Sequence, residues 1–153
     1  MVYYYFRNKK GLFQAVTRHK VSMNEFIESL KKATSRGSVK EKVRSFTRFY
    51  LSSFPEDAFN VGFYIDDDAS LDKESAKKVS ESFMEIQELL EKLIKDGEKE
   101  GVFREGDADV AADMLLGLLN HVLFQKIHFE REFVLESSVQ QITDFFRAMK
   151  PGL

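Results

Sequence analysis

The sequence contains no cysteine, which excludes disulfides, thiolate metal sites and cysteine nucleophiles. Tryptophan is absent too, and proline and glycine are scarce, with 2 and 8 in 153 residues. Long stretches free of both favour long helices over short strands and tight turns. No charged-then-apolar signal pattern is read at the start. The longest apolar stretch, Met114 to Phe124, is interrupted by Asn120 and His121 and falls short of the roughly 18 residues a membrane span needs. The expectation is a soluble, cytoplasmic protein with no membrane partner.

What is present is apolar and aromatic. Apolar residues make up 43% and charged residues 31%, a globular composition in a chain long enough to bury a core as one domain. The 15 phenylalanines and 5 tyrosines exceed what a helical core needs. Either bulky core packing or an aromatic-lined cavity uses the surplus. The net charge of −2 hides an uneven distribution: residues 1–44 hold 11 basic and 3 acidic side chains, and residues 45–153 hold 12 and 22. A basic end on an acidic body suits contact with a polyanion, although a solvated basic helix has the same composition.

Apolar periodicity and punctuation divide the chain into helices. One starts at Asn8, carries Leu12, Val16, Met23, Ile27 and Leu30, and ends near Ala33 before the Ser35-Arg36-Gly37 break. Ser38 and Glu41 form a capping box for the next, whose face holds Val43, Phe46, Phe49 and Tyr50 and which Pro55 stops. A short element over 56–65 and a polar loop over 66–70 precede a long helix over 72–100, weakened by Gly97 and ended by Gly101. Asp107 caps a helix through about Ile127, and a last helix runs from 133 to 149. No segment alternates with period two, so the fold is expected to be all-α.

Between Val110 and Phe124 apolar residues occupy nearly every angular position. A helix apolar all round must be covered on both sides. A symmetric contact between two copies, shared with Val139, Ile142, Phe145 and Phe146 of the last helix, meets that need; full burial inside a monomer is the alternative.

Chemistry-bearing patterns are sparse. Asp66 to Asp72 superficially resembles a calcium loop, but its sixth position is Leu71 rather than glycine and its twelfth is Lys77 rather than glutamate. The residues three before His19, His121 and His128 are Val16, Leu118 and Gln125, so no Glu-x-x-His di-iron motif exists. No phosphate-binding glycine loop and no Ser/His/Asp arrangement stands out. No metal, cofactor or enzymatic activity is expected. His121 interrupts an apolar helix and reads either as a satisfied core or interface residue or as a ligand contact; Asn120 beside it reads similarly, tilted toward a dimer seam.

Val2-Tyr3-Tyr4-Tyr5-Phe6-Arg7-Asn8-Lys9-Lys10-Gly11-Leu12-Phe13 closely resembles the signature of TetR/AcrR-family regulators, with tandem aromatics, a Phe, then Asn-Lys and a hydrophobic pair at fixed spacing. A looser likeness runs from Ile94 to Arg104, followed by Asp107 and Ala111-Ala112. With the succession of helices, the resemblance covers essentially the whole chain. It implies that 1–33 are a remnant of the recognition helix plus the connecting helix, and that 34–153 are the C-terminal ligand-binding and dimerisation domain. It also implies that Tyr3, Tyr5 and Lys9 contact DNA phosphate, for which phenols, an ammonium and free helix N–H groups are suited. Base-reading residues normally precede Tyr3 in that family, so this chain alone is not expected to bind an operator specifically.

The resemblance further implies a ligand-responsive repressor acting as a homodimer, with the operator bound by a longer parent. Phe46, Phe49, Tyr50, Phe59, Phe63, Phe83, Ile86, Met114 and His121 are expected to enclose a pocket for a hydrophobic or aromatic small molecule. Leu116, Leu119, Asn120, Leu123, Ile142, Phe145 and Phe146 are expected at the dimer interface. The alternative is a standalone helical sensor or interaction protein without DNA binding.

Overall fold

A computed structural model of the chain describes residues 23–56, 73–132 and 134–149. Among these described residues there are five helices and no strand: α1 over residues 23–33, α2 Val39–Ser53, α3 Lys73–Lys99, α4 Ala108–Phe129 and α5 Leu135–Met149. The all-α fold therefore stands, with the described helix ends within about two residues of those read from periodicity, the usual scatter at frayed ends. The helix start read at Asn8 lies outside the described residues. The loop expected over 66–70 and nearly all of the element over 56–65 lie outside the described residues.

Local chemistry sets the helix ends. The capping box forms as read: the Ser38 N–H donates to Glu41 Oε2 at 2.7 Å and the Glu41 N–H donates to Ser38 Oγ at 3.2 Å. Gly37 makes it possible, because its φ of +96° is open to glycine and a Cβ there would stand 2.5 Å from Glu41 Oε2. At the end of α3 the Gly101 N–H reaches Glu98 O and the Val102 N–H reaches Gly97 O, with Gly101 at φ +72°. That paired bonding is a Schellman stop with glycine at its left-handed position. Asp107 occupies the N-cap of α4 with extended backbone, but its carboxylate makes no capping hydrogen bond. The helix opens with its ordinary first backbone bond, Ala111 N–H to Asp107 O at 3.0 Å, and without a side-chain cap.

The chain divides into two units. The first comprises Met1–Glu28 and Phe54–Glu85. Among its described residues Met23, Phe26 and Ile27 are buried, and Phe54 lies between two other rings. Phe26 meets it edge-on with centroids 5.1 Å apart, and Phe83 stacks on it at 6.2 Å.

The second unit comprises Ser29–Ser53 and Ile86–Leu153. In it α2 packs on α4 and, more extensively, on α5. Its core takes Val39, Val43, Phe46, Tyr50 and Leu51 from α2, Ile86, Leu90, Leu93 and Ile94 from α3, and Ala112, Leu115 and Leu119 from α4. All three sets follow helical spacing, so each helix turns one stripe inward. Across the α2–α5 contact Arg48 meets Glu136 in a two-pronged pair, Nε to Oε1 at 2.9 Å and Nη2 to Oε2 at 3.0 Å.

That pair titrates in a defined direction. The hydrogen bonds from Arg48, reinforced by the charges of Arg48 and Arg44, hold the Glu136 carboxyl below the usual glutamate range. A carboxylate lowered on folding stabilises above its unfolded pKa of about 4.3, and that contribution fades as pH falls through the lower folded value. The stability gap between wild type and Glu136→Gln is therefore expected to close on acidification from about pH 6 to about pH 3. Urea midpoints at each pH measure it, and a gap that stays constant would contradict the assignment.

Candidate effector and dimer surfaces

α4 has two faces of different character. Ala108, Ala112, Leu115, Leu119 and Leu123, at steps of four and three, form the buried stripe. On the opposite side Val110, Met114, Gly117 and His121 are all exposed, Val110 and Met114 by 49% each. By length and composition α4 is apolar enough to cross a membrane, with a mean hydropathy of 1.2 over an 18-residue window of which 22% is buried. The apolar run legible in the sequence stops at Phe124, but the helix continues to Phe129, 22 residues in all. Val110 and Met114 stay exposed and Leu116, Leu118 and Val122 are half-buried, so the all-round apolarity of α4 is only partly satisfied by its own core. The same holds locally on α5, where Phe145 is 53% exposed while Val139 and Thr143 point inward.

α2 contributes the buried aromatics. Phe46 and Tyr50, one turn apart, stack with centroids 5.9 Å apart and an interplanar angle of 16°. The Tyr50 phenol donates to Asn120 Oδ1 on α4 at 2.6 Å. Burial holds that phenol neutral far above its ordinary pKa, so it serves as a fixed donor. Tyr50→Phe is expected to cost about 0.5–1.5 kcal/mol, the net worth of one such bond, because half-buried Asn120 regains water on its freed oxygen. Chemical denaturation measures this; no loss at all would show that the bond is not formed in solution.

An open cleft of about 410 Å³ lies where α2 ends and α4 passes into α5, lined by Leu51, Ser52, Lys126, Glu130, Arg131, Glu132 and Leu135. Its mixed charges favour neither anion nor cation, and none of the residues expected to bind an effector lines it. Among the described residues no group of three or more His, Cys, Asp or Glu side chains is placed to hold a metal ion.

The site residues expected from sequence are distributed as follows. Tyr3, Tyr5, Lys9, Phe59 and Phe63, and the side chain of Phe146, lie outside the described residues. Of the expected pocket, Phe46, Tyr50 and Ile86 are buried, and Phe49 and Phe83 are half-buried. Met114 and His121 are on the exposed stripe of α4, opposite the stripe that packs inward. Of the expected interface, Leu119 and Leu123 are buried in the protomer's own core, Leu116, Asn120 and Ile142 are half-buried, and Phe145 is exposed. Gly117 and Asp113, which sequence reasoning does not single out, share the exposed face with Met114 and His121. A glycine in the middle of a long helix is the signal that points to them.

Comparison with known proteins accounts for this architecture. Residues 36–123 match the family described as Tetracyclin repressor-like, C-terminal domain. No curated protein matches the chain. Among solved structures, the fatty acid degradation regulator FadR from Bacillus halodurans is similar at 20% identity and a TM-score of 0.69, over 95% of this chain and 78% of that one. FadR from Bacillus subtilis, solved in complex with stearoyl-CoA, is similar at 18% identity and a TM-score of 0.73, with the same coverage of 95% and 78%. PfmR from Thermus thermophilus, a TetR family transcriptional regulator, is similar at 22% identity and a TM-score of 0.69, again over 95% and 78%. Identities this low speak for the fold alone, whereas the family match spans more than half the sequence and rests on the sequence itself. The chain belongs to the tetracycline-repressor-like (TetR) family, through that family's C-terminal domain.

Proposed function

We propose that this chain is the effector-binding and dimerising part of a TetR-type transcriptional repressor whose operator is read by the N-terminal domain of its parent. The observation that carries the reading is the family match joined to the uncovered apolar face of α4, which a second copy would bury. The effector is an apolar small molecule, and its apolar part rests against the half-buried Phe83 and its neighbours Phe26 and Phe54 in the first unit. The B. subtilis FadR complex makes a long-chain acyl-CoA the first ligand to try. An effector shifts the dimer only by as much as it prefers one spacing of the DNA-reading units over another.

Titration with stearoyl-CoA, with CoA lacking the acyl chain as control, tests the effector assignment. Ligand at about 100 times its dissociation constant is expected to raise unfolding stability by roughly 2.7 kcal/mol, and Phe83→Ala to weaken that rise. No shift with stearoyl-CoA, or an equal shift with CoA alone, would reject recognition through the acyl chain.

A further inference from the structure

Apolarity does not explain the whole outer stripe of α4. Gly117 sits at mid-helix, where glycine costs about 1 kcal/mol relative to alanine. A Cβ built there would meet nothing within 4 Å, so the protomer itself has no need of the missing side chain. Something approaching from outside does. Four residues before Gly117 stands Asp113 and four after it stands His121, both exposed. The three lie on one ridge of the helix, the row formed by every fourth residue.

That ridge is complementary to its own reverse. Two copies of α4 laid antiparallel with these ridges alongside cross at about 50°, the usual angle when fourth-residue rows pack together. In that arrangement Gly117 meets Gly117 of the second copy, and Asp113 and His121 of each copy lie beside His121 and Asp113 of the other. An isologous contact requires this reciprocity, and it forms two carboxylate–imidazole pairs at once. A parallel arrangement would instead set carboxylate against carboxylate. Val110 and Met114 on the same face supply the apolar surface around the crossing.

We propose that Gly117 is the point where α4 crosses α4 of a second copy, antiparallel, with Asp113 and His121 pairing across the two-fold axis to set the register. This register deepens the dimer reading above and rests on it. The backbone approach that glycine permits is short. Helix axes 8–10 Å apart, with Cα atoms about 2.3 Å from each axis, leave the facing Cα atoms roughly 3.5–5.5 Å apart. No side chain fits in that gap, whereas cysteines at 113 and 121, which lie beside each other across the axis, have the room a disulfide needs.

The absence of native cysteine makes the test clean. Sedimentation of the full chain first asks whether it dimerises, and cross-linking by an added thiol oxidant then reads the register. Gly117→Leu is expected to weaken dimerisation on the order of tenfold while the protomer keeps its fold, since nothing in the protomer lies within 4 Å of the added carbon. Asp113→Cys and His121→Cys are expected to cross-link poorly alone and well when combined in one chain. Asp113→Lys is expected to weaken dimerisation on the order of tenfold, since two pairs are lost together, and adding His121→Asp to restore it. A chain that sediments as a monomer at every concentration overturns both the dimer reading and this one. A dimer that Gly117→Leu leaves intact, or in which Asp113→Cys alone bridges, leaves the dimer standing and overturns the register.

Discussion

Phe46→Ala is expected to destabilise the fold by about 3–5 kcal/mol, because it removes a fully buried ring from the centre of the second unit. Two costs combine. The ring's apolar surface is no longer withdrawn from water, and the surrounding helices, held by α2–α4 and α2–α5 packing, close the resulting cavity only in part. Tyr50 loses its stacked neighbour at 5.9 Å, which loosens the ring whose hydroxyl reaches Asn120. Phe49→Ala is the internal control, three residues along the same helix and half-buried. It removes the same atoms from a wetter place and is expected to cost clearly less. Denaturant midpoints at fixed protein concentration compare the two, since dimerisation would make the values concentration-dependent. Equal losses would show that the inward face of α2 has been misassigned.

That contrast between faces marks how far the sequence can be read. Helix existence is legible because periodicity and punctuation agree: the Ser38–Glu41 box, the Phe54-Pro55 stop and the Gly101 terminator each act within a few residues. The orientation of α2 is legible too, since its polar and apolar sides differ. That of α4 is not. A helix apolar at nearly every angle has no polar side to fix which stripe turns inward, so periodicity gives the relative angles of its residues but not their absolute direction. Hence sequence reasoning groups Met114 and His121 with Phe46 and Tyr50, and Leu119 and Leu123 with the seam, whereas the structure exposes the first pair and buries the second. The Tyr50–Asn120 hydrogen bond joins residues 70 apart in sequence, and no local pattern announces a partner at that distance.

The two faces of α4 connect these observations. Asn120 lies between the buried stripe and the exposed one, and its side-chain oxygen is held by a donor on α2. A displacement of α2 would therefore reach the outer surface of α4 through a hydrogen bond between two helices packed in one core. Such a link transmits a change only if the two helices have two arrangements to choose between.

Gly97→Ala carries the second large expected effect, and its sign opposes helix propensity. Near the end of α3 alanine would by itself favour the helix by up to about 1 kcal/mol. Tertiary packing reverses this. A Cβ at Gly97 would stand 2.3 Å from Phe103 Cδ2, 2.6 Å from Cε2 and 2.9 Å from Val39 Cγ1. Neither neighbour can retreat cheaply. Phe103 is 2% exposed and Val39 3%, and the Phe103 N–H is bonded to Gly97 O at 3.1 Å within the same turn. Glycine at 97 is thus the socket into which the α3–α4 loop folds its aromatic ring, a role that only the assembled unit reveals. Overpacking of a filled core costs about 1–3 kcal/mol, and contacts this short fall at the upper end, leaving a net loss of about 2 kcal/mol after the propensity gain is subtracted. Gly101→Ala separates packing from backbone strain: its φ is +72° but nothing lies within 4 Å of the added carbon, so the strain of a left-handed alanine, about 1 kcal/mol, is its whole cost. Combining Gly97→Ala with Phe103→Leu should recover part of the loss, because the smaller side chain vacates the space the new methyl needs, and a double-mutant cycle would report that coupling directly. Strictly additive losses, or a Gly97→Ala variant more stable than wild type, would show that Phe103 does not occupy the hollow above Gly97 in solution.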